Sequence, residues 1–291
     1  MSAVPHAGNG KVTVPDILSR KVSQNPAAKK ITMLTAYDYP TARLLDEAGV
    51  EILLVGDSMG MVVLGYENTL PVTMEEMLPH VRAVRRGTRR ALVVADMPYG
   101  SYHISLEDSV RQAVRFVKEA GAEAVKVEGG ERRLELITRL SEAEIPVMAH
   151  VGLTPQSLNA LGGFKVQGKT AEAGERLARD ARAVEAAGAF AVVLESVPRE
   201  IARQITLDLR IPTIGIGAGP DCDGQVMVFH DMVGLTMGAA PKFARRYANL
   251  AAEIARAAGE YCEDVRSGKF PSEAESFHVP AEAREKLRER L

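Results

Sequence analysis

Five short apolar runs in this 291-residue chain each lead to an ionisable side chain. Residues 52–55 reach Asp57 through Gly56, and residues 91–95 run into Asp96. Residues 124–127 carry Lys126 and run into Glu128, residues 146–149 run into His150, and residues 191–194 run into Glu195. An apolar run of this length closed by glycine or a polar group reads as a parallel strand buried on both faces. The carboxyl end of such a strand is where α/β enzymes carry their chemistry. These five runs therefore constrain both the fold and the place of the site.

Helical patterns separate the runs. The apolar positions Val14, Ile17, Leu18 and Val22, with Pro15 in the first turn, predict a leading helix over residues 14–22 that covers the bottom of the fold. A first strand is expected at residues 31–35. A helix over residues 40–48 is closed by Gly49, and one over residues 74–86 is opened by Thr73 and Glu76, a capping box. Further helices are expected at residues 106–120, 132–142, 170–187 and 199–207. Strands at residues 211–216 and 226–229 bring the number to eight, and a helix over residues 243–262 is expected to continue the outer shell. Eight strands alternating with helices give a closed (β/α)8 TIM barrel. An open doubly wound sheet would need a Gly-rich turn after its first strand, where Thr35-Ala-Tyr-Asp38 has none. The expected layout is a disordered N-terminus over residues 1–12, a barrel over 13–266 and a polar C-terminal tail over 267–291, with a short helix from Ala281. The loop over residues 151–168 is too long for a plain turn and marks a functional or interface element.

Composition narrows the function. A formal net charge of −2 offers no field for nucleic acid or an anionic membrane. No apolar run approaches the ~20 residues of a membrane span. No signal peptide is evident, and the two cysteines, Cys222 and Cys262, form neither a disulfide framework nor a metal spacing, so a cytoplasmic protein is expected.

In a barrel, Asp57 and Asp96 end adjacent strands. Two neighbouring carboxylates repel unless protonated or bridged by a cation, and an oxygen-only donor set favours Mg²⁺. Each Asp could instead cap the element that follows it. Lys126 and Glu128, two apart on one strand, point the same way and bring an ammonium and a third carboxylate to the site, or else an ion pair that fills the barrel. Ser58 adds a hydroxyl donor for a carboxylate. Glu195, across the barrel mouth and among apolar neighbours, suits a general base. His150 is a weaker candidate, and His103 and His230 read as structural. The set fits metal-assisted proton abstraction beside a carbonyl, with a 2-oxo acid chelating the metal. A lyase acting on a 2-oxo or hydroxy acid would share these parts, although neither cysteine ends an early strand. A non-catalytic barrel would not need five ionisable strand ends.

The runs also carry motifs. Val55-Gly-Asp-Ser-Met-Gly-Met-Val-Val-Leu-Gly-Tyr66, Asp96-Met-Pro-Tyr-Gly-Ser-Tyr102, Lys126-Val-Glu-Gly-Gly130, His150-Val-Gly-Leu-Thr-Pro-Gln156, Leu194-Glu-Ser196, Ile214-Gly-Ile-Gly-Ala-Gly219 and Phe229-His-Asp-Met232 occur in that order. Together they resemble the ketopantoate hydroxymethyltransferase family from about Val12 to Glu260. The resemblance implies a barrel of the phosphoenolpyruvate/pyruvate type. It also implies transfer of a hydroxymethyl group from 5,10-methylenetetrahydrofolate to 3-methyl-2-oxobutanoate, giving 2-dehydropantoate on the way to pantothenate. Carried over by motif, Asp57 and Asp96 would hold Mg²⁺ with Glu128 as a third ligand, direct or through water, and Ser58 and Lys126, with the two aspartates, would bind the oxo acid. Glu195 would accept the proton, and the protein would be a homo-oligomer, commonly a decamer.

Overall fold

The computed structural model describes residues 10–25, 27–238 and 240–288. Its eight strands are β1 (Ile31–Thr35), β2 (Ile52–Val55), β3 (Leu92–Asp96), β4 (Ala124–Glu128), β5 (Val147–Gly152), β6 (Ala191–Glu195), β7 (Thr213–Ile216) and β8 (Gly224–Met227). They pair in chain order, and β1 pairs with β8, so the sheet closes into a parallel barrel. This is the (β/α)8 TIM barrel expected from the alternation.

Period-two alternation divides the core into two layers. Ile52, Leu54, Leu92, Val94, Ala124, Met148, Ala191 and Val193 form one buried cluster, while Leu53, Val55, Val93, Ala95, Val125, Val127, Val147 and Val192 pack with helix residues in another. Side chains two apart on a strand share a face. The interior series therefore continues from Leu92 and Val94 to Asp96, from Ala124 to Lys126 and Glu128, from Met148 to His150, and from Ala191 and Val193 to Glu195. Inter-strand register sets Asp96 beside Lys126, Glu128 beside His150, and Gly152 beside Glu195.

The connecting helices are α1 (Val14–Leu18), α2 (Tyr39–Glu47), α3 (Met59–Val62), α4 (Met74–Gly87), α5 (Leu106–Ala120), α6 (Leu134–Glu142), α7 (Leu158–Leu161), α8 (Ala171–Ala186), α9 (Arg199–Asp208) and α10 (Phe229–Val233). The capping box of α4 is present: Thr73 N donates to Glu76 Oε2 at 2.8 Å, and Glu76 N donates to Thr73 Oγ1 at 3.2 Å.

Several boundaries differ from the sequence expectation. Residues 1–9 of the stretch expected to be disordered lie outside the described residues. Lys11 and Val12 are ordered: Val12 N donates to Arg90 O at 2.7 Å, and Lys11 pairs with Glu123 at 2.6 Å. Helix α1 stops at Leu18 instead of reaching Val22. The chain turns so that Lys21 can enter the barrel floor, where Nζ lies 2.8 Å from Asp223 Oδ2 and both side chains are fully buried. Asp223 also accepts from Val22 N and Thr213 N, at 2.9 and 2.8 Å. Ile17 is buried with the strand residues of the interior cluster, the bottom-covering role expected of the leading helix. Strand β8 begins two residues earlier than expected.

The helix expected from residue 243 starts at Leu250 and runs to Arg266 as α11. Phe243 is used differently, because its ring lies over Gly217, where an added Cβ would fall 2.7 Å from Phe243 Cδ1. Contact density divides the chain into the barrel unit, up to Met232 with Thr236–Arg245, and a smaller unit, Val233–Leu235 with Arg246–Leu291. Within the smaller unit, α11 buries none of its residues, and α12 spans Ala281–Arg288.

Candidate active site

The ends of β2, β3 and β4 bring Asp57, Asp96 and Glu128 together. One oxygen from each lies within 4.8 Å of the others, and all three side chains are buried. Asp57 N approaches Asp96 Oδ2 at 3.4 Å, so the adjacency expected of consecutive strands is present. Lys126 Nζ donates to Asp96 Oδ1 at 2.6 Å and lies 3.5 Å from Glu128 Oε1. One ammonium thus faces three carboxylates.

The imbalance is written in the ionisation of the cluster. Burial pushes the Asp57 carboxyl well up, and repulsion from Asp96 and Glu128 adds to it. Burial also raises Asp96, against the opposing pull of Lys126. At Glu128 burial acts in the same direction, but Lys126 and His150 outweigh it and hold the group below its ordinary value. Burial works to discharge Lys126, yet Asp96, Glu128 and Asp57 more than restore its charge. A desolvated set of hard oxygen donors with too few positive charges of its own fits a divalent cation of the Mg²⁺ type, and contains no soft ligand to favour another class.

Ser58 follows Asp57, and its Oγ is 2.9 Å from the buried Tyr37 hydroxyl. Gly56 makes this fold-back possible, since a Cβ there would sit 2.9 Å from Ser58 Oγ.

His150 has a more central position than its residue type suggested. Its Nδ1 lies 3.3 Å from Glu128 Oε1 and its Nε2 lies 3.4 Å from Glu195 Oε2. Neither contact has hydrogen-bond alignment, so the imidazole is a charge bridge between the two carboxylates. Burial and Lys126 both oppose its protonation, but Glu128 and Glu195 prevail and hold its pKa at about 9. Glu195 is therefore not isolated among apolar neighbours, as the sequence had suggested. It faces a cation, and its side chain keeps 16% of its exposure, open to the barrel mouth. Two unusual backbone positions frame it. Ser196 takes φ 49°, and Gly152 on the adjacent strand takes φ 100° with room for no Cβ, which would fall 2.3 Å from Glu195 O.

The residue missed in sequence is Gln156. Its Nε2 donates to Asp57 Oδ2 at 2.8 Å and to Met97 O at 2.9 Å, its backbone N donates to Glu128 Oε2 at 3.0 Å, and its Oε1 accepts from the Tyr102 hydroxyl. The Tyr102 oxygen in turn accepts from Glu128 N at 3.3 Å. Gln156 thus ties the ends of three strands, from a loop noted for its length and for a motif that ends on this residue without assigning it a role.

Comparison with known proteins gives a consistent picture. The family described as ketopantoate hydroxymethyltransferase matches residues 11–273. The 3-methyl-2-oxobutanoate hydroxymethyltransferase of Koribacter versatilis (strain Ellin345) is 57% identical over 277 residues, covering 95% of this chain and 92% of that protein. The protein of the same name from Syntrophus aciditrophicus (strain SB) is 59% identical over 249 residues, covering 86% and 92%. Among solved structures, phosphonopyruvate hydrolase in complex with oxalate and Mg++ aligns with a TM-score of 0.57 at 16% identity over 96% of both chains. 2,3-Dimethylmalate lyase aligns with a TM-score of 0.56 at 18% identity over 91% and 92%. At these identities the structural matches speak for the barrel fold alone.

Proposed function

The chain belongs to the ketopantoate hydroxymethyltransferase family, and on that premise we propose that it transfers a hydroxymethyl group from 5,10-methylenetetrahydrofolate to 3-methyl-2-oxobutanoate, giving 2-dehydropantoate and tetrahydrofolate. The observation that carries this reading is the buried triad of Asp57, Asp96 and Glu128 facing Lys126, with Glu195 beyond His150. Asp57, Asp96 and Glu128 would hold Mg²⁺. When bound, the cation supplies positive charge against the keto oxygen of the oxo acid, which lowers the cost of removing the proton from C3.

The chain's own residues do the rest. Lys126 and Ser58 bind the substrate carboxylate, one as a fixed charge and the other as a hydroxyl donor held by Tyr37. Glu195 takes the C3 proton on Oε2, and the His150 ring, with Nε2 3.4 Å from that oxygen, fixes where the accepting atom sits. Water adds to the one-carbon unit as its two C–N bonds break, which frees it at the formaldehyde level and restores the N–H groups of tetrahydrofolate; the electron pair left at C3 then bonds to that carbon, and its oxygen takes up the proton removed from C3 as the product hydroxyl. Burial of the triad behind Gln156 and Tyr102 keeps bulk water from the metal ligands.

The protein is further proposed to work in the cytoplasm as a homo-oligomer, commonly a decamer in this family. On helix α11 the apolar side chains Ile254, Tyr261 and Val265 are exposed, which favours a partner copy. No helix among the described residues is long and apolar enough to cross a membrane.

The decisive experiment is deuterium exchange at C3 of 3-methyl-2-oxobutanoate in D₂O, followed by NMR without folate. Exchange is expected to require both protein and Mg²⁺, and Glu195→Gln should abolish it while oxo-acid binding persists. Adding methylenetetrahydrofolate should then yield 2-dehydropantoate. Absence of exchange and of product would move the assignment to a lyase of the same fold.

A further inference from the structure

Beside the triad, the loop after β3 and the turn after β4 build a layered surface that the reaction as described above does not use. The His103 ring touches two tyrosines, Tyr102 at 4.2 Å between centroids and Tyr99 at 4.7 Å, and is tilted by 42° and 48° to them. On Tyr102 rests the guanidinium of Arg133, 4.9 Å from the ring centroid. Tyr99 and His103 are exposed, Arg133 is half-buried and Tyr102 is buried. The stack is joined to the site through the Tyr102 hydroxyl, which bonds Gln156 and accepts from Glu128 N.

Among the described residues Arg133 makes no ion pair. Gly129, at φ 121°, leaves the space its stem fills, since a Cβ there would sit 2.9 Å from Arg133 Cγ. Its Nε donates to Glu128 O at 3.3 Å, while neither Nη group has an acceptor among the described residues. A fixed guanidinium with free donors next to an aromatic face recognises a flat ring that bears a carbonyl or ring-nitrogen acceptor. His103 Nδ1 accepts from Gly100 N at 3.2 Å, and burial together with the Arg133 charge lowers its pKa to about 4, so near neutrality it presents an uncharged face.

The other concavity nearby is a cavity of about 230 Å³ bounded by Tyr99, Gly100 and Ser101 on one side and Glu75, Asp108 and Arg115 on the other. Arg115 is already paired with Glu75 and Glu119, so that wall presents acidic groups with a guanidinium already engaged by carboxylates.

We infer that the shelf of Tyr99, His103 and Arg133 seats the fused pteridine ring of the one-carbon donor, with the Arg133 Nη groups donating to its lactam edge. This rests on the hydroxymethyl-transfer reading and adds to it the surface that selects the donor. The ring packs against the exposed sides of Tyr99 and His103, and the one-carbon unit is turned toward the triad.

The test uses the full chain with Mg²⁺ and two probes: tetrahydrofolate, and 6-methyltetrahydropterin, which carries the fused ring without the aminobenzoylglutamate tail. Arg133→Met and Tyr99→Leu are expected to weaken both probes about ten-fold, the scale of one stacked ring. The KM for methylenetetrahydrofolate should rise by the same factor, while KM for 3-methyl-2-oxobutanoate and folate-independent exchange at C3 stay within about two-fold. Unchanged binding of both probes in both variants would overturn the inference. So would weakening of tetrahydrofolate alone, which would assign Arg133 to the tail, or a parallel fall in C3 exchange, which would make the shelf a support for Glu128. A wild-type protein with neither exchange nor turnover would instead refute the hydroxymethyl-transfer reading itself.

Discussion

Lys126→Met removes the one ammonium that faces Asp96 and Glu128 and replaces it with a side chain of similar length. The ammonium is 4% exposed, with Asp96 at 2.6 Å and Glu128 at 3.5 Å. Deleting one partner of a buried pair leaves its counter-charge uncompensated and costs about 3–5 kcal/mol, a large share of the ~5–15 kcal/mol that holds a domain together. At ~2.1 cal/mol/K per residue the unfolding entropy of 291 residues is about 0.6 kcal/mol/K, so the melting temperature in EDTA should fall by about 5–8 °C. Mg²⁺ should recover more stability in the variant than in the wild type, because the cation no longer competes with an ammonium for Asp96 and Glu128. The assay is thermal unfolding with EDTA and across a Mg²⁺ series. Adding Asp96→Asn to the variant should return part of the loss, and a double-mutant cycle should show coupling of about 0.5–3 kcal/mol. A melting temperature in EDTA within about 1 °C of wild type, on the same scaling, would show that the cluster is not electrostatically strained and would refute the reasoning.

Two further outcomes follow from neighbouring groups. Gln156→Leu leaves Met97 O without its side-chain donor and the Tyr102 hydroxyl proton without its acceptor, at about 1–3 kcal/mol each, and should lower the unfolding free energy in urea and EDTA by about 2–6 kcal/mol; a loss below ~1 kcal/mol would contradict the bonding described. His103, with its pKa lowered to about 4, binds fewer protons folded than unfolded. Its contribution is present above the unfolded value near 6.5 and is lost as pH falls toward 4, so an NMR titration should find the ring neutral at pH 5.5, and Arg133→Met should move its midpoint upward.

The strand ends were legible because the barrel interior obeys a period of two. Once residues 92 and 94 face inward, Asp96 follows, and Lys126 and Glu128 share a face by spacing alone. What remained hidden depends on register and on long-range partners. His150 gained its position only when β4 and β5 aligned it with Glu128, a relation that no local pattern encodes. Gln156 carries no charge to betray it, and its partners come from three separate stretches of chain. The early end of α1 reflects Lys21 meeting Asp223, and the late start of α11 reflects the use of Phe243 over Gly217; in both cases a tertiary contact overrode a helical pattern.

The Lys21–Asp223 bond joins residues 202 positions apart. At the ~5–20 residues per second of protein synthesis, Lys21 waits about 10–40 s before its counter-charge has been made, and β1 waits as long for β8. Until β8 is made, any sheet that the nascent chain forms is open along β1, the condition that invites association between chains. The floor of this barrel is therefore sealed last although its first half is made first. The vulnerable period in the life of the protein is its birth, and a pulse-labelled chain should become protease-resistant in one step only after β8 has cleared the ribosome.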